Sequence, residues 1–133
     1  MRSLNMIWFA AHAVYVFEPV SGRQKSFKVL ENVLMVRARS SKSALASALV
    51  VARREASDDP SLVIDGKPAR QRFLGIRKVV ACAADPFDDS STDGQVRTIR
   101  QGTEATYFSY RVASRAALNR LVVGKDAKIT LED

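Results

Sequence analysis

Few residues in this chain are of a type that could do chemistry. His12 is the only histidine and Cys82 the only cysteine. Hydrolysis through a nucleophile needs a base and an orienting acid beside it. His12 stands between Trp8 and Val14 on an apolar stretch, so it reads as a packed histidine bonded to backbone. One His and one Cys make no ligand cluster, and no metal is expected. Asp89, Ser91, Asp93 and Gly94 match the first half of a calcium loop, but position twelve, which needs a bidentate Glu, is Arg100. The stretch reads as a plain acidic loop. The glycines are scattered, with neither G-x-G-x-x-G nor a P-loop, so no nucleotide cofactor is expected. Cys82, next to Val80 and Ala81, reads as a small buried residue.

The cations offer more. "RQRFLGIRKVV", residues 70–80, sets four of them on an apolar ribbon. Strict alternation puts Arg70, Arg72 and Lys78 on one face with Leu74 and Ile76. A bulge at Gly75 would shift the parity, so that Arg70, Arg72 and Arg77 share a face and Phe73, Ile76 and Val80 turn to the core. Arg37 and Arg39 would extend the patch if their strand were adjacent. Tyr107, Phe108 and Tyr110 would then supply stacking rings. Such a face could hold phosphate or an acidic partner; equally, cations of this kind line solvated sheet faces. No RNP motif, GXXG loop or zinc finger accompanies them. Glu31 lies among apolar residues and needs a partner if buried, for which Arg77 or Lys78 is expected.

These residues must be positioned by a small set of elements. Residues 6–18 read as a strand with Ile7, Phe9, Ala11, Ala13, Tyr15 and Phe17 on one face and Trp8, Ala10, His12, Val14 and Val16 on the other. Both faces are apolar, so the strand is central or is covered by a partner. Pro19 and Gly22 mark a turn. A second strand, 26–39, returns as a hairpin, with Glu31, Arg37 and Arg39 on the face of Phe27, Val29, Val33 and Met35. Ala44, Leu45, Ala48, Leu49, Ala52 and Ala56 then recur at helical spacing behind a Ser40 or Ser41 cap. Asp65-Gly66 signals a hairpin tip before a strand at 70–83. Two strands at 96–101 and 104–112 follow. Ser114 caps a short helix with Ala117, Leu118 and Leu121 inward and Gly124 at its end. Residues 127–132 close as a strand. The expected fold is α+β: a mostly antiparallel sheet of five or six strands with two helices, one long and alanine-rich, in one domain spanning 1–133.

Composition is that of a globular chain, with 47% hydrophobic and 26% charged residues. Net charge is +7. Residues 1–84 hold 14 Lys/Arg against 6 Asp/Glu, whereas residues 85–133 hold 7 against 8. The basic body could meet nucleic acid, anionic lipid or an acidic protein. The N-terminal run "MRSLNMIWFAAHAVYVF" has the flavour of a secretory signal, but Asn5 and His12 interrupt it and no typical polar mature segment follows. It is also shorter than the roughly 20 residues a membrane span needs. A cytoplasmic protein without membrane contact is expected, in keeping with a single cysteine.

"WFAAH", "ENVLMVRA" leading to "SALASA", "FLGIRKVV" and "FSYRVASRAALNRLVVGK" together resemble an uncharacterised family of small bacterial proteins. The resemblance implies a small α+β domain with no assigned activity or catalytic residues. Its recurring positions fall here on Trp8, Glu31, Gly75, Arg77, Lys78, Ser109 and Tyr110. Of these, Glu31, Arg77, Ser109 and Tyr110 are expected to converge across neighbouring strands. Three functional readings follow. The first is a non-catalytic protein-interaction domain, homodimeric or partner-binding. The second is a nucleic-acid-binding module using Arg37, Arg39, Arg70, Arg72, Arg77, Lys78 and Tyr110. The third is a small hydrolase or nuclease using Glu31 with an Asp or His12.

Overall fold

The computed structural model describes residues 6–56, 59–82 and 101–132. The acidic loop with Asp89, Ser91, Asp93, Gly94 and Arg100 lies outside the described residues. So does all but the last residue of the strand expected at 96–101. The described chain runs β1 (Ile7–Pro19), β2 (Phe27–Ala38), α1 (Ser41–Arg54), β3 (Val63–Ile64), β4 (Lys67–Ala81), β5 (Thr103–Val112), α2 (Arg115–Val122) and β6 (Thr130–Leu131). The strands form one antiparallel sheet in the order β3-β4-β1-β2-β5-β6. The fold is α+β, as the sequence leads one to expect.

The β1–β2 hairpin is the centre of that sheet. Its register pairs Trp8 with Arg37 and Tyr15 with Leu30. β1 is apolar on both faces because each face is covered within the chain. On one face Phe9, Ala11, Val36 and Ala38 pack against Ala44 and Ala48 of α1, while Ala13, Tyr15 and Leu34 pack around Ala52. On the other, Val14, Val16, Phe27, Val29, Tyr110 and Val112 pack against Leu118 and Leu121 of α2.

Alanine at 44, 48 and 52 lets α1 lie close to the strands. The Tyr15 hydroxyl then reaches the Ala52 carbonyl at 2.7 Å, tying the helix down by a buried hydrogen bond. Ser40 and Ser43 form a reciprocal capping box at its start. Leu45, on the expected inward stripe, is instead 38% exposed; the fully buried stripe of α1 is Ala44, Ala48 and Ala52, with Val51 packed beside Ala52.

β4 is longer than expected and starts at Lys67. Asp65 and Gly66 both have positive φ, 54° and 78°, which makes the two-residue hairpin turn between β3 and β4. The β4 register slips twice against β1, between His12 and Ala13 and between Val14 and Tyr15. The extra residues are Arg77 and Leu74. Two bulges, rather than one at Gly75, keep Phe73, Ile76 and Val79 on the α1 face and place Arg70, Arg72 and Lys78 on the α2 face. Val80 shares the cation face by its pairing with Ala10 and is 47% exposed, so it is no core residue. The last strand, expected over 127–132, is only two residues long, pairing Leu131 with Tyr110 and Thr130 with Arg111. No helix among the described residues is long and apolar enough to cross a membrane.

Candidate functional site

Glu31 is the one buried charged residue among those described, at 5% exposure. It stands on the α2 face of β2, opposite Val14 of β1 and Phe108 of β5. A carboxylate there loses its water and must find other partners. Three side chains supply them. His12 Nδ1 lies 2.6 Å from Oε2. The Tyr110 hydroxyl donates to Oε1 at 2.5 Å. Arg77 Nη1 lies 3.9 Å from Oε2. Each comes from a different strand: β1, β5 and the bulge of β4.

Local structure explains the convergence. His12 pairs across the hairpin with Val33, which makes Glu31 its diagonal neighbour on the same face. Tyr110 sits opposite Val29, again one diagonal step from Glu31. Arg77 reaches the cluster because it is the bulged residue, turned to the same face as Lys78. Gly124, just after α2, has φ 81°, and a Cβ built there would lie 2.9 Å from the Arg77 carbonyl oxygen. Only glycine lets the chain leave α2 this close to the bulge.

Burial alone would raise the Glu31 pKa. The hydrogen bonds from His12 and Tyr110 and the charges of His12 and Arg77 outweigh it, and the pKa falls below the ordinary glutamate value. The Tyr110 phenol moves the other way: burial raises it most, and the Glu31 carboxylate adds to the rise. Glu31 is therefore ionised and Tyr110 a permanent donor at neutral pH.

An open groove of about 250 Å³ runs over this cluster. Arg77 and Lys78 line one side, while Phe108, Ile129 and Leu131 form an apolar rim. Those three are 47%, 40% and 70% exposed. The chemistry this arrangement offers is restricted. Glu31 orients the His12 ring as an acid orients a base, yet among the described residues no serine, threonine or cysteine hydrogen-bonds to His12. Both Glu31 oxygens are occupied. No group of three His, Cys, Asp or Glu that could hold a metal occurs among the described residues.

The residues singled out from sequence are dispersed. Glu31, Arg77 and Tyr110 meet; Ser109 does not, because it neighbours Tyr110 on the strand and pairs with Leu30 on the α1 face. His12 bonds a carboxylate, not backbone, which corrects the expectation. Arg72 and Arg70 lie 3.1 and 3.9 Å from Glu18. Arg37 cannot extend their patch, since β1 lies between β2 and β4. Arg37 pairs with Trp8 and Arg70 with Glu18, ten residues apart along β1 or roughly 33 Å. Arg39, exposed, follows the same end of β2 as Arg37. Of the expected stacking rings, Tyr110 is buried and Tyr107 pairs with Asn32 on the α1 face, leaving Phe108 alone beside the cations. Cys82 is half-buried, not buried, and its N–H donates to the Trp8 carbonyl at 2.9 Å.

A family model described as Domain of unknown function (DUF4288) matches residues 8–92. The chain belongs to that family. The match holds β1 through β4, and so His12, Glu31 and Arg77; Tyr110 and α2 lie beyond it. This agrees with the resemblance to an uncharacterised family. No curated protein and no solved structure matches the chain.

Proposed function

We propose that this chain is a single non-catalytic protein-interaction domain of the cytoplasm, working through the groove over Glu31. One observation carries this reading: three exposed apolar side chains, Phe108, Ile129 and Leu131, surround a charged floor whose carboxylate is already fully engaged. Such a floor fixes shape rather than moving protons, and an apolar rim over it suits a docking protein. Lys78 and Arg77 at one side favour an acidic group on the partner. In its simplest form the partner is a second copy of the chain.

Size-exclusion chromatography with light scattering tests that form. A homodimer has twice the 14.7 kDa mass of the chain, and Phe108→Asp with Leu131→Asp returns it to monomer. A strict monomer at the highest soluble concentration removes the self-associating form. The nucleic-acid alternative would use Arg70, Arg72, Arg77 and Lys78 of β4 with Arg37, Arg39 and Tyr110; against it, Arg37 lies roughly 33 Å from Arg70 along the sheet and Tyr110 is buried. Filter binding at low salt measures it, because phosphate contacts weaken steeply as salt rises. The hydrolase alternative has only the His12–Glu31 pair in its favour.

A further inference from the structure

A second concavity, of about 190 Å³, lies on the α1 face of the sheet at the other end of the β1–β2 hairpin. Five cations line it. Arg23 and Lys25 come from the β1–β2 turn, Lys28 from β2, Lys67 from the start of β4 and Arg111 from β5. One lining carboxylate, Asp65, faces them.

The cations fall into two groups. Arg111 is fixed on three sides: Nη2 lies 2.7 Å from Asp65, Nε 3.1 Å from Glu132, and Nη1 donates to Ser26 Oγ at 3.3 Å. Lys28 lies 3.4 Å from Glu132. Arg23, Lys25 and Lys67 have no ion-pair partner among the described residues. Counting Asp65 and Glu132 against all five leaves an excess of three positive charges around one small space. Like charges gathered this closely repel unless an anion joins them. Phe17 and Ile64 supply an apolar patch in the same concavity.

We propose that this concavity binds a phosphate monoester. Its volume is below the roughly 300 Å³ at which pockets for drug-sized ligands begin, so the ligand is small. A phosphate group carries nearly two negative charges at neutral pH and three acceptor oxygens, which suits cations converging from separate segments. Pre-set Arg111 and Lys28 provide the fixed part of the cradle, and Arg23, Lys25 and Lys67 the part that closes on the anion. The organic substituent of the ester lies on Phe17 and Ile64. This site is independent of the groove over Glu31, on the opposite face of the sheet.

Calorimetric titration of the full chain at low ionic strength, with inorganic phosphate and with phenyl phosphate, tests it. Both bind, phenyl phosphate the tighter because its ring meets Phe17 and Ile64. The exposed pair Lys25→Glu with Lys67→Glu weakens both about tenfold or more. Lys42→Glu with Lys125→Glu makes the same change in net charge elsewhere and leaves binding within about twofold, since distant exposed charges are screened. Thermal melts of both variants confirm folding. Vesicles containing phosphatidic acid distinguish a membrane-borne phosphate from a soluble one; retention that the Lys25/Lys67 variant loses supports the same site. Absence of binding to all three probes overturns the proposal. Equal weakening in the two variants, or none in the Lys25/Lys67 variant, overturns it as well.

Discussion

The two faces of the sheet are closed in different ways. One is covered by fourteen residues of α1, about 21 Å of helix, resting on alanines. The other is covered by eight residues of α2, about 12 Å, resting on Leu118 and Leu121. A close, long helix seats its alanines on the strands, and the Tyr15 hydroxyl beneath it is taken up by the Ala52 carbonyl. A short helix on leucines cannot reach across the sheet, and Glu31, His12 and Arg77 occupy the ground beyond its end. The position of the candidate site therefore follows from helix length and side-chain size.

Three sets of substitutions would break or sharpen that contrast. The largest effect is expected at Glu31. Glu31→Ala leaves His12, Tyr110 and Arg77 without their shared acceptor and costs about 3–5 kcal/mol in urea unfolding. Acid dependence gives a finer measure. The folded pKa of Glu31 lies below its ordinary value of 4.5, so the unfolded chain takes up the proton first. The carboxylate's contribution is complete above pH 4.5 and is lost as pH falls through the lower folded value. In Glu31→Gln that acid limb flattens. Identical limbs in the two proteins would show that folding does not lower the Glu31 pKa.

Next come the helix contacts. Leu118→Ala opens a cavity under α2 and costs about 2–4 kcal/mol. Ala48→Leu forces α1 off the sheet and costs about 1–3 kcal/mol. The two faces thus fail in opposite directions, one when a side chain shrinks and the other when it grows. If Ala48→Leu were neutral in thermal melts, the close seating of α1 would be wrong. The smallest effects fall on the helix anchors. Tyr15→Phe deletes the bond to the Ala52 carbonyl for about 1–2 kcal/mol. The phenol, pushed up to about 12 first by burial and then by Glu55 and Glu104, remains a donor at neutral pH. Ser40→Ala removes the cap of α1 for about 1 kcal/mol. Amide exchange confined to the α1 ends for Ser40→Ala, but spread along the helix for Tyr15→Phe, would separate a cap from a tether.

Much of this architecture was legible in the residues themselves. Alternation marked β1 and β2, alanine spacing marked α1, and Asp65-Gly66 marked a turn whose two positive φ angles explain the residue choice. Ser114 and Gly124 framed α2. The candidate site was only partly legible. Parity alone assigned His12 and Glu31 to faces of their own strands, but whether those faces coincide, and how far apart the residues fall, depends on hairpin register. The register follows from a seven-residue turn whose geometry composition does not determine. Arg77 was harder still. Its direction depends on a bulge, and the doubled slip in β4 has no residue signature beyond Gly75. That the two helices take opposite faces is a property of long-range packing and was not available from any local pattern.

The doubled slip has one more consequence. Among the described residues, β3 pairs only with Lys67 and Pro68 of β4 and the Ala69 N–H donates to the Leu62 carbonyl, so from Phe73 to Ala81 no described strand pairs with this flank of β4. A long straight border of this kind recruits foreign chains into stacked assemblies. Here it is bent at Leu74 and again at Arg77, and guanidinium groups project beside it, so an incoming chain meets neither a flat ladder nor a neutral surface. The kinks that deliver Arg77 to Glu31 thereby also make this flank of β4 a poor template for an added strand.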